Sequence, residues 1–289
     1  MMKVSKTRLK HVMGIFVRYK KLLIGTTLVL GILLFCLIGR IVYPVNPRDI
    51  AFKDLLPPNP ENPLGTDVFG RDVLAQIIHG TLNSLRVGVA AGLIATLIGV
   101  IIGAVAGYFG GIIDEVLNLI TNTFLVLPTL ALLIVIASYV KMRSEWIVAF
   151  IIGVTSWPWT ARAVRAQVYS LRAREFVDLA KISGLSKFEI IIFEILPNML
   201  SYIVMCFTLQ MAGAILSEAG LSAIGLGPSD VVTLGIILRW CIVWEAPRLG
   251  AWWWFVPPGL LITLIAVSFL LLNSGLDEIY NPRLRRGVR

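Results

Sequence analysis

Long apolar runs separated by short polar stretches dominate this sequence and predict membrane-spanning helices. A hydrocarbon core of about 30 Å is crossed by roughly 20 helical residues, with a usual range of about 17–25. Six runs fall in that range: 22–42, 84–108, 116–140, 146–163, 195–217 and 251–273. A further apolar run, 231–243, is too short to span and predicts a surface or re-entrant helix. The pattern therefore predicts an all-α polytopic membrane protein with six transmembrane helices.

The polar stretches divide the chain into three predicted regions. Residues 1–83 hold a basic tail, the first span and a polar loop with prolines at 44, 47, 57, 58, 60 and 63. Proline at that density disfavours helix, so this loop is expected to be extended as far as Asp67. Residues 84–273 form a five-helix core interrupted by a charged loop at 164–194, and residues 274–289 form a tail.

The distribution of Lys and Arg predicts how the chain is oriented in the membrane. The first 21 residues hold seven of them and no acid, and such a cluster stays on the cytoplasmic side. Six spans then place the 164–194 loop and the C-terminus in the cytoplasm too, with 17 Lys and Arg residues inside and 9 outside. The net charge of +9 is thus explained by topology and by contact with anionic membrane lipid, and not by nucleic acid. We expect a multi-pass protein of the cell (plasma or inner) membrane whose first span is retained as a signal anchor.

Composition and motifs argue against an enzyme. Hydrophobic residues make up 57% of the chain and charged residues 15%, with a mean hydropathy of +0.84. The sequence contains no G-x-x-x-x-G-K-[ST] phosphate loop, and no convincing carboxylate pair, Ser/His/Asp set or metal cluster is apparent. Its three cysteines lie in apolar runs, where a thiol acts as a small hydrophobe. We therefore predict no catalytic residue, metal site or cofactor in this chain.

One segment carries unusual charge for its position between two spans. Residues 172–198 read RAREFVDLAKISGLSKFEIIIFEILPN and hold eight charged side chains; we refer to them as the charged segment. Helical spacing predicts a first helix, since residues at i, i+3, i+4 and i+7 share one face. The residues at those positions are Phe176, Leu179, Ala180 and Ser183.

A second helix is predicted after a glycine elbow. Gly184 is expected to end the first helix. Ser186 and Glu189 have the spacing of a capping box that starts the next helix, and Pro197 is expected to break or kink the chain where the fifth span begins. This helical pair is interpreted either as a docking element for a cytoplasmic partner or as an amphipathic linker lying in the lipid headgroups.

At these residues the chain resembles the coupling loop of ABC importer permeases. That motif reads Glu-Ala-Ala, three residues, Gly and, further on, Leu-Pro. Asp178, Leu179 and Ala180 stand at its first three positions, with a shorter acid and a bulkier apolar side chain than usual at the first two. The resemblance implies coupling to an ATP-binding subunit through these positions: Phe176, Asp178, Leu179, Ala180, Gly184, Leu185 and Pro197.

Other motifs are similar to the dipeptide, oligopeptide and nickel branch of that family. Residues 64–72 read LGTDVFGRD, and the branch is also matched at 107–111 with Asp114, at 224–227 and at 281–283. Residues 273–277 follow it loosely. The resemblance implies the C-type subunit, with a type I importer bundle. It further implies a second homologous permease, two ATP-binding subunits that carry ATP and Mg, and an extracytoplasmic solute-binding protein.

The expected function is uptake of oligopeptides or dipeptides, with oligosaccharides or nickel as alternative cargo of the same machinery. An ion-coupled secondary transporter is a second class, but it needs ionisable residues deep in the membrane, and the acids here are predicted at span ends or in loops. A structural or signalling scaffold is a third class, which explains neither the charged segment nor the 64–72 motif.

The sequence does not identify the residues that line the transport path, and it offers only candidates. Trp252, Trp253 and Trp254 are interpreted as part of an aromatic belt or, alternatively, as a stacking surface for sugar rings. Glu218 and Arg239 are interpreted as a solvated loop pair or, alternatively, as gate or binding-protein contacts. The small-residue spacings Gly88/Gly92 and Gly99/Gly103/Gly107 predict close helix packing.

Overall fold

The computed structural model describes residues 19–280, and within this range the regular structure is helical. The single isolated bridge found there joins Thr66 and Asp72. The helices in chain order are α1 (Lys20–Val42), α2 (Val73–Phe109), α3 (Gly111–Val126), α4 (Thr129–Tyr139), α5 (Glu145–Leu171), α6 (Glu175–Ile182), α7 (Lys187–Glu189), a π-helical turn (Ile190–Ile195), α8 (Leu196–Asn198), α9 (Leu200–Ala223), α10 (Leu234–Val243) and α11 (Trp252–Tyr280).

Five of these helices are long and apolar enough to cross a membrane, namely α1, α2, α5, α9 and α11. The predicted span 116–140 is instead divided into α3 and α4, whose axes differ by 87°. The break falls at Leu127, whose ψ of 132° is extended, because the ring of Pro128 disfavours helical geometry in the preceding residue. Counted together, the bent pair supplies the sixth span.

Several helix boundaries differ from those that the apolar runs suggest, and α11, for example, continues to Tyr280 and not 273. α2 begins at Val73, well before the predicted start at 84, because the Asp72 side chain accepts a 2.7 Å hydrogen bond from the Ala75 amide and caps the helix. α5 continues to Leu171, so the start of the predicted 164–194 loop is still helical. α9 begins at Leu200 and not at 195.

α2 is the central element, and its glycines allow other helices to approach closely. A Cβ at Gly99 would lie 2.6 Å from Thr160 Cβ, and a Cβ at Gly103 would lie 2.5 Å from the Ala161 carbonyl oxygen, so α5 packs directly on this face. A Cβ at Gly88 would lie 2.5 Å from the Ile215 side chain of α9. The prediction that these small residues mark packing is confirmed.

The short apolar helix α10 packs one face into the bundle, so a helix confined to the surface is wrong for 231–243, and the alternative of a re-entrant helix stays a prediction. Leu234, Ile237 and Cys241 are buried in the same hydrophobic cluster as Trp254 of α11. Gly235 permits this position, because a Cβ there would lie 2.7 Å from the Ala219 Cα of α9. A helix of this length is too short to span a membrane, but it is long enough to bury one apolar face.

Candidate functional site

The charged segment folds as the predicted helix, turn and helix. α6 ends at Ile182, and Gly184 follows with φ +83°, a left-handed conformation that glycine adopts without strain. The Gly184 amide donates to the Lys181 carbonyl at 3.1 Å and the Leu185 amide to the Ala180 carbonyl at 3.2 Å. This is a Schellman motif, so the prediction that Gly184 ends the helix is confirmed.

The second helix starts with the predicted capping box. The Glu189 amide donates to Ser186 Oγ at 3.4 Å, and the Ser186 amide donates to Glu189 Oε2 at 2.7 Å. The hydrogen bonds from Ser186 hold the pKa of the exposed Glu189 carboxyl below its ordinary value. A π-helical turn follows, and the chain breaks at Met199, just after Pro197, before α9 begins.

The four residues that spacing places on one face of α6 do not all lie on the same side of the helix. Val177 and Ala180 are buried, with Phe176 packed beside them, against a cluster that includes Val168 and Ile195. Two members of the predicted face, Leu179 and Ser183, are exposed instead. The difference arises because Val177, and not Leu179, points at the end of α5.

The outward side of the segment is apolar and is left largely exposed by residues 19–280, although the Phe188 ring contacts that of Phe109. Leu179 is 64% exposed, Ile182 84% and Phe188 62%. Together with Leu185, which is also exposed, they lie close to one another in sequence around the Gly184 turn; we refer to these four side chains as the docking face. Asp178, also exposed, forms a 2.8 Å ion pair with Lys181 beside them. Exposed apolar patches rimmed by charge mark interaction surfaces.

Two arginines make contacts at the start of the charged segment: Arg165 joins α5 to α3, and Arg172 joins the segment to α2. Arg165 contacts Asp114 of α3 with both ends of its guanidinium, Nε to Oδ1 at 2.5 Å and Nη2 to Oδ2 at 2.6 Å. Arg172 Nη1 lies 3.3 Å from the carbonyl oxygens of Gly107 and Tyr108 at the end of α2. The motif at 107–111 with Asp114 therefore supplies the groups that bind Arg172 and Arg165 where the charged segment begins.

At the opposite end of the bundle, residues 64–72 form a tightly hydrogen-bonded loop. Asp67 Oδ1 accepts the amides of Phe69 and Arg71 at 2.8 and 2.9 Å, and Oδ2 accepts Arg71 Nε at 2.6 Å. Asp72 caps α2 and also accepts the Tyr43 hydroxyl at 2.8 Å. Burial and this hydrogen bond raise the pKa of Tyr43.

The tryptophans considered for the transport path do not form one surface. Trp254 is fully buried, and Trp253 donates its ring N–H to the Thr66 carbonyl at 3.1 Å, so both belong to the packing below the 64–72 loop. Trp252 alone of the three is exposed, at 55%. Its ring meets that of Trp253 edge-on, with centroids 6.2 Å apart.

Glu218 is fully buried, so its interpretation as a solvated loop residue is wrong. Its carboxylate accepts the hydroxyls of Ser222 and Thr233 at 2.6 Å and that of Ser84 at 3.3 Å. The predicted partner Arg239 is exposed and lies over Gly225 instead. The contact with Ser84 of α2, which is 134 residues away in the sequence, has no local signal.

Comparison with known proteins places these features in a family. Residues 99–286 match the family described as "Binding-protein-dependent transport system inner membrane component". The "Oligopeptide transport system permease protein OppC" of Mycobacterium tuberculosis is 35% identical over 254 residues, covering 85% of this chain and 86% of that protein. The "Dipeptide transport system permease protein DppC" of Bacillus subtilis is 34% identical over 265 residues, covering 89% and 81%.

A solved structure supports the fold. It is that of the MetNI methionine ABC transporter in an inward-facing conformation, and it matches with a TM-score of 0.51 at 21% identity. The match covers 73% of this chain and 95% of the other. The helical arrangement described above is therefore shared with a chain of that transporter.

Proposed function

The chain belongs to the family of binding-protein-dependent transport system inner membrane components, and on that premise we propose that it is a permease subunit of an ATP-driven ABC importer of oligopeptides or dipeptides. Relatives at 31–35% identity over most of the chain are named as peptide permeases, which favours peptides over oligosaccharides or nickel. The family is that of a membrane component and not of a catalytic subunit.

The proposed partners follow from the same premise. A permease of this kind works with ATP-binding subunits and a solute-binding protein. We propose that ATP and Mg are bound and used in two ATP-binding subunits, and that a second homologous permease completes the transport path. The N- and C-termini and the charged segment then face the cytoplasm, as the excess of Lys and Arg at that end favours.

The observation that supports coupling is the docking face. Four exposed apolar side chains around a rigid Schellman turn offer a surface that a soluble subunit can cover. The turn rests on α2 and α5 through Arg172 and the Val177 face, so a push on it reaches those helices as a rigid-body displacement.

Ile182→Asp tests this coupling. Ile182 is 84% exposed, so the change should leave the fold of this chain intact. It would place a charge in the apolar surface that the proposed ATP-binding subunit buries on binding. We expect ATP-driven peptide uptake by the reconstituted transporter to fall about tenfold or more, because a desolvated unpaired charge costs more than about 1.4 kcal/mol. The matched control is Ile50→Asp in the loop before α2, where the side chain is 72% exposed.

Two results would contradict the proposal in different ways. Unchanged uptake with Ile182→Asp would remove the docking face from the mechanism. Uptake by the unaltered transporter that persists without ATP, but collapses with an ion gradient, would overturn the importer assignment itself.

A further inference from the structure

One exposed face in the C-terminal half of α5 carries polar groups, although the helix lies among the membrane spans. Apart from the adjacent pair Tyr169 and Ser170, its exposed residues are spaced by three or four positions and therefore share a side of the helix. The opposite side packs on α2 through Gly99 and Gly103. All but one of the exposed side chains can form hydrogen bonds, and we refer to the set as the polar face: Trp159, Arg162, Ala166, Tyr169 and Ser170.

The packing against α2 places Arg162 at the level of an uncharged stretch of that helix. Its neighbour Ala161 contacts both Gly99 and Gly103, so Arg162 lies at the level of those glycines. The stretch 87–109 of α2 has no charged residue. At about 1.5 Å per residue, Arg162 is about 9–15 Å from the end of that stretch at Phe109 and about 18–24 Å from its start.

The side of α2 that is exposed at the same depth is purely aliphatic. It presents Leu93, Leu97 and Ile101, which suit a lipid surface. An arginine facing hydrocarbon is unfavourable by several kcal/mol, and ionisable side chains in spans face a cavity or a partner. The polar face of α5 differs from this aliphatic side of α2 and suits a water-filled path or another protein.

Among the residues that the structure describes, the Arg162 guanidinium has a hydrogen-bond partner but no acidic side chain to balance its charge. Its Nη2 donates to Asn122 Oδ1 of α3 at 2.7 Å, and no carboxylate of residues 19–280 forms an ion pair with it. Arg165, one turn further along α5, is by contrast fully paired with Asp114. Asn122 uses an uncharged oxygen, so it orients the guanidinium and leaves its positive charge available.

We propose that Arg162, positioned by Asn122, binds a carboxylate of the transported peptide as it passes along the polar face of α5. A guanidinium presents a planar fork of N–H donors that fits a carboxylate in a bidentate way. Every unmodified peptide carries such a group at its C-terminus. The inference rests on the proposed function, and it adds a binding residue for the substrate on this chain.

The test compares two forms of one peptide, with a free C-terminal carboxylate and with a C-terminal amide. Uptake is measured with the complete reconstituted transporter at saturating binding protein, and each variant is normalised to the unaltered transporter for the same peptide. This normalisation removes the preference of the binding protein. We expect Arg162→Gln to lower uptake of the carboxylate form about tenfold, the usual size of a lost charge-assisted hydrogen bond, and to leave the amide form unchanged.

Two further variants sharpen the readout. Arg162→Lys keeps the charge without the fork and should retain an intermediate rate for the carboxylate form. The control variant is Arg248→Gln, which removes an arginine that is distant from Arg162 in the sequence, 82% exposed and paired with Glu245. This variant should change the uptake of neither peptide.

Several outcomes would overturn the inference. Equal losses for both peptides would assign Arg162 a structural role. Loss of the second permease from the purified Arg162→Gln complex would mean that the arginine pairs with an acid of that subunit. Unchanged uptake of both peptides would leave Arg162 outside the path. Failure of the unaltered transporter to import either form with ATP is a separate result, which would overturn the proposed function itself.

Discussion

Ser222 sits between two glycines, and this arrangement encloses the buried carboxylate of Glu218. A Cβ at Gly227 would lie 1.9 Å from Ser222 Oγ, and one at Gly235 would lie 2.8 Å from Ser222 Cβ. The serine is thereby held where its hydroxyl donates to Glu218. A buried polar group is stable only with hydrogen-bond partners. The two glycines therefore stabilise the carboxylate indirectly, by leaving room for Ser222 in the position from which it donates to Glu218.

Gly227→Ala should therefore destabilise the protein. The added methyl group must displace Ser222 and weaken its bond to Glu218, and we expect the free energy of unfolding to fall by about 1–3 kcal/mol. A lower thermal midpoint of the purified protein would show this. Gly213→Ala in α9 is the control, since a Cβ there meets nothing within 4 Å. Equal midpoints for the two variants would contradict the packing argument.

At the residue scale, the sequence predicts what depends on neighbours along the chain. Gly184 ends α6 through bonds to Ala180 and Lys181, which are close to it in sequence, and was predictable. The contact of Glu218 with Ser84 of α2 joins residues 134 positions apart and was not predictable. A short sequence window holds no information on such a contact.

Among the elements, the charged segment combines a predictable backbone with an unpredicted orientation. Its helix limits, glycine turn and capping box follow from local hydrogen bonds. Its inward face depends on the position of α5, which only the assembled bundle determines, so the spacing did not identify Val177. The bend between α3 and α4 had a local cue in Pro128, which the continuous apolar pattern of 116–140 concealed.

Substituting adjacent faces of α6 separates stability from coupling. Val177→Ser should lower the thermal midpoint, because a fully buried side chain loses apolar burial and gains an unpartnered hydroxyl. Leu179→Ser should leave the midpoint within error and reduce ATP-driven uptake, since Leu179 is exposed on the docking face. The reverse pattern would contradict this assignment of the buried and exposed sides of α6.

The turn itself is testable with Gly184. Proline cannot adopt φ +83° and has no amide to donate to Lys181, so Gly184→Pro should abolish ATP-driven transport without preventing membrane insertion. Asparagine tolerates the left-handed conformation, and Gly184→Asn should retain most of the activity. Normal uptake with the proline variant would show that the turn geometry is not needed.

For the whole molecule, the apolar runs predicted the number of spans but not their arrangement. Six runs of suitable length are visible in the sequence, and five appear as single long helices with the bent pair as the sixth. The choice of neighbouring helices depends on where glycines allow close contact. One example is the packing of α5 on Gly99 and Gly103 of α2. Periodicity cannot supply that pairing, because each span is apolar over most of its surface.

The proposed orientation can be measured with introduced cysteines. Cys36, Cys206 and Cys241 are buried, so the unaltered chain should not react with a membrane-impermeant maleimide. We expect Ala51→Cys to be labelled in intact cells and Ala173→Cys only after the membrane is opened, as both sites are exposed on opposite ends of the bundle. Labelling of the second site in intact cells would invert the proposed topology.

The length of α2 has a consequence for the amplitude of movement. It has 37 residues and no proline, so it is a rod about 55 Å long, nearly twice the hydrocarbon thickness. One end is capped under the 64–72 loop and the other holds Arg172. A tilt of about 10° would shift one end relative to the other by about 10 Å. A modest angular step on one side of the membrane is thus converted into a displacement on the other that is wide enough to admit a peptide chain.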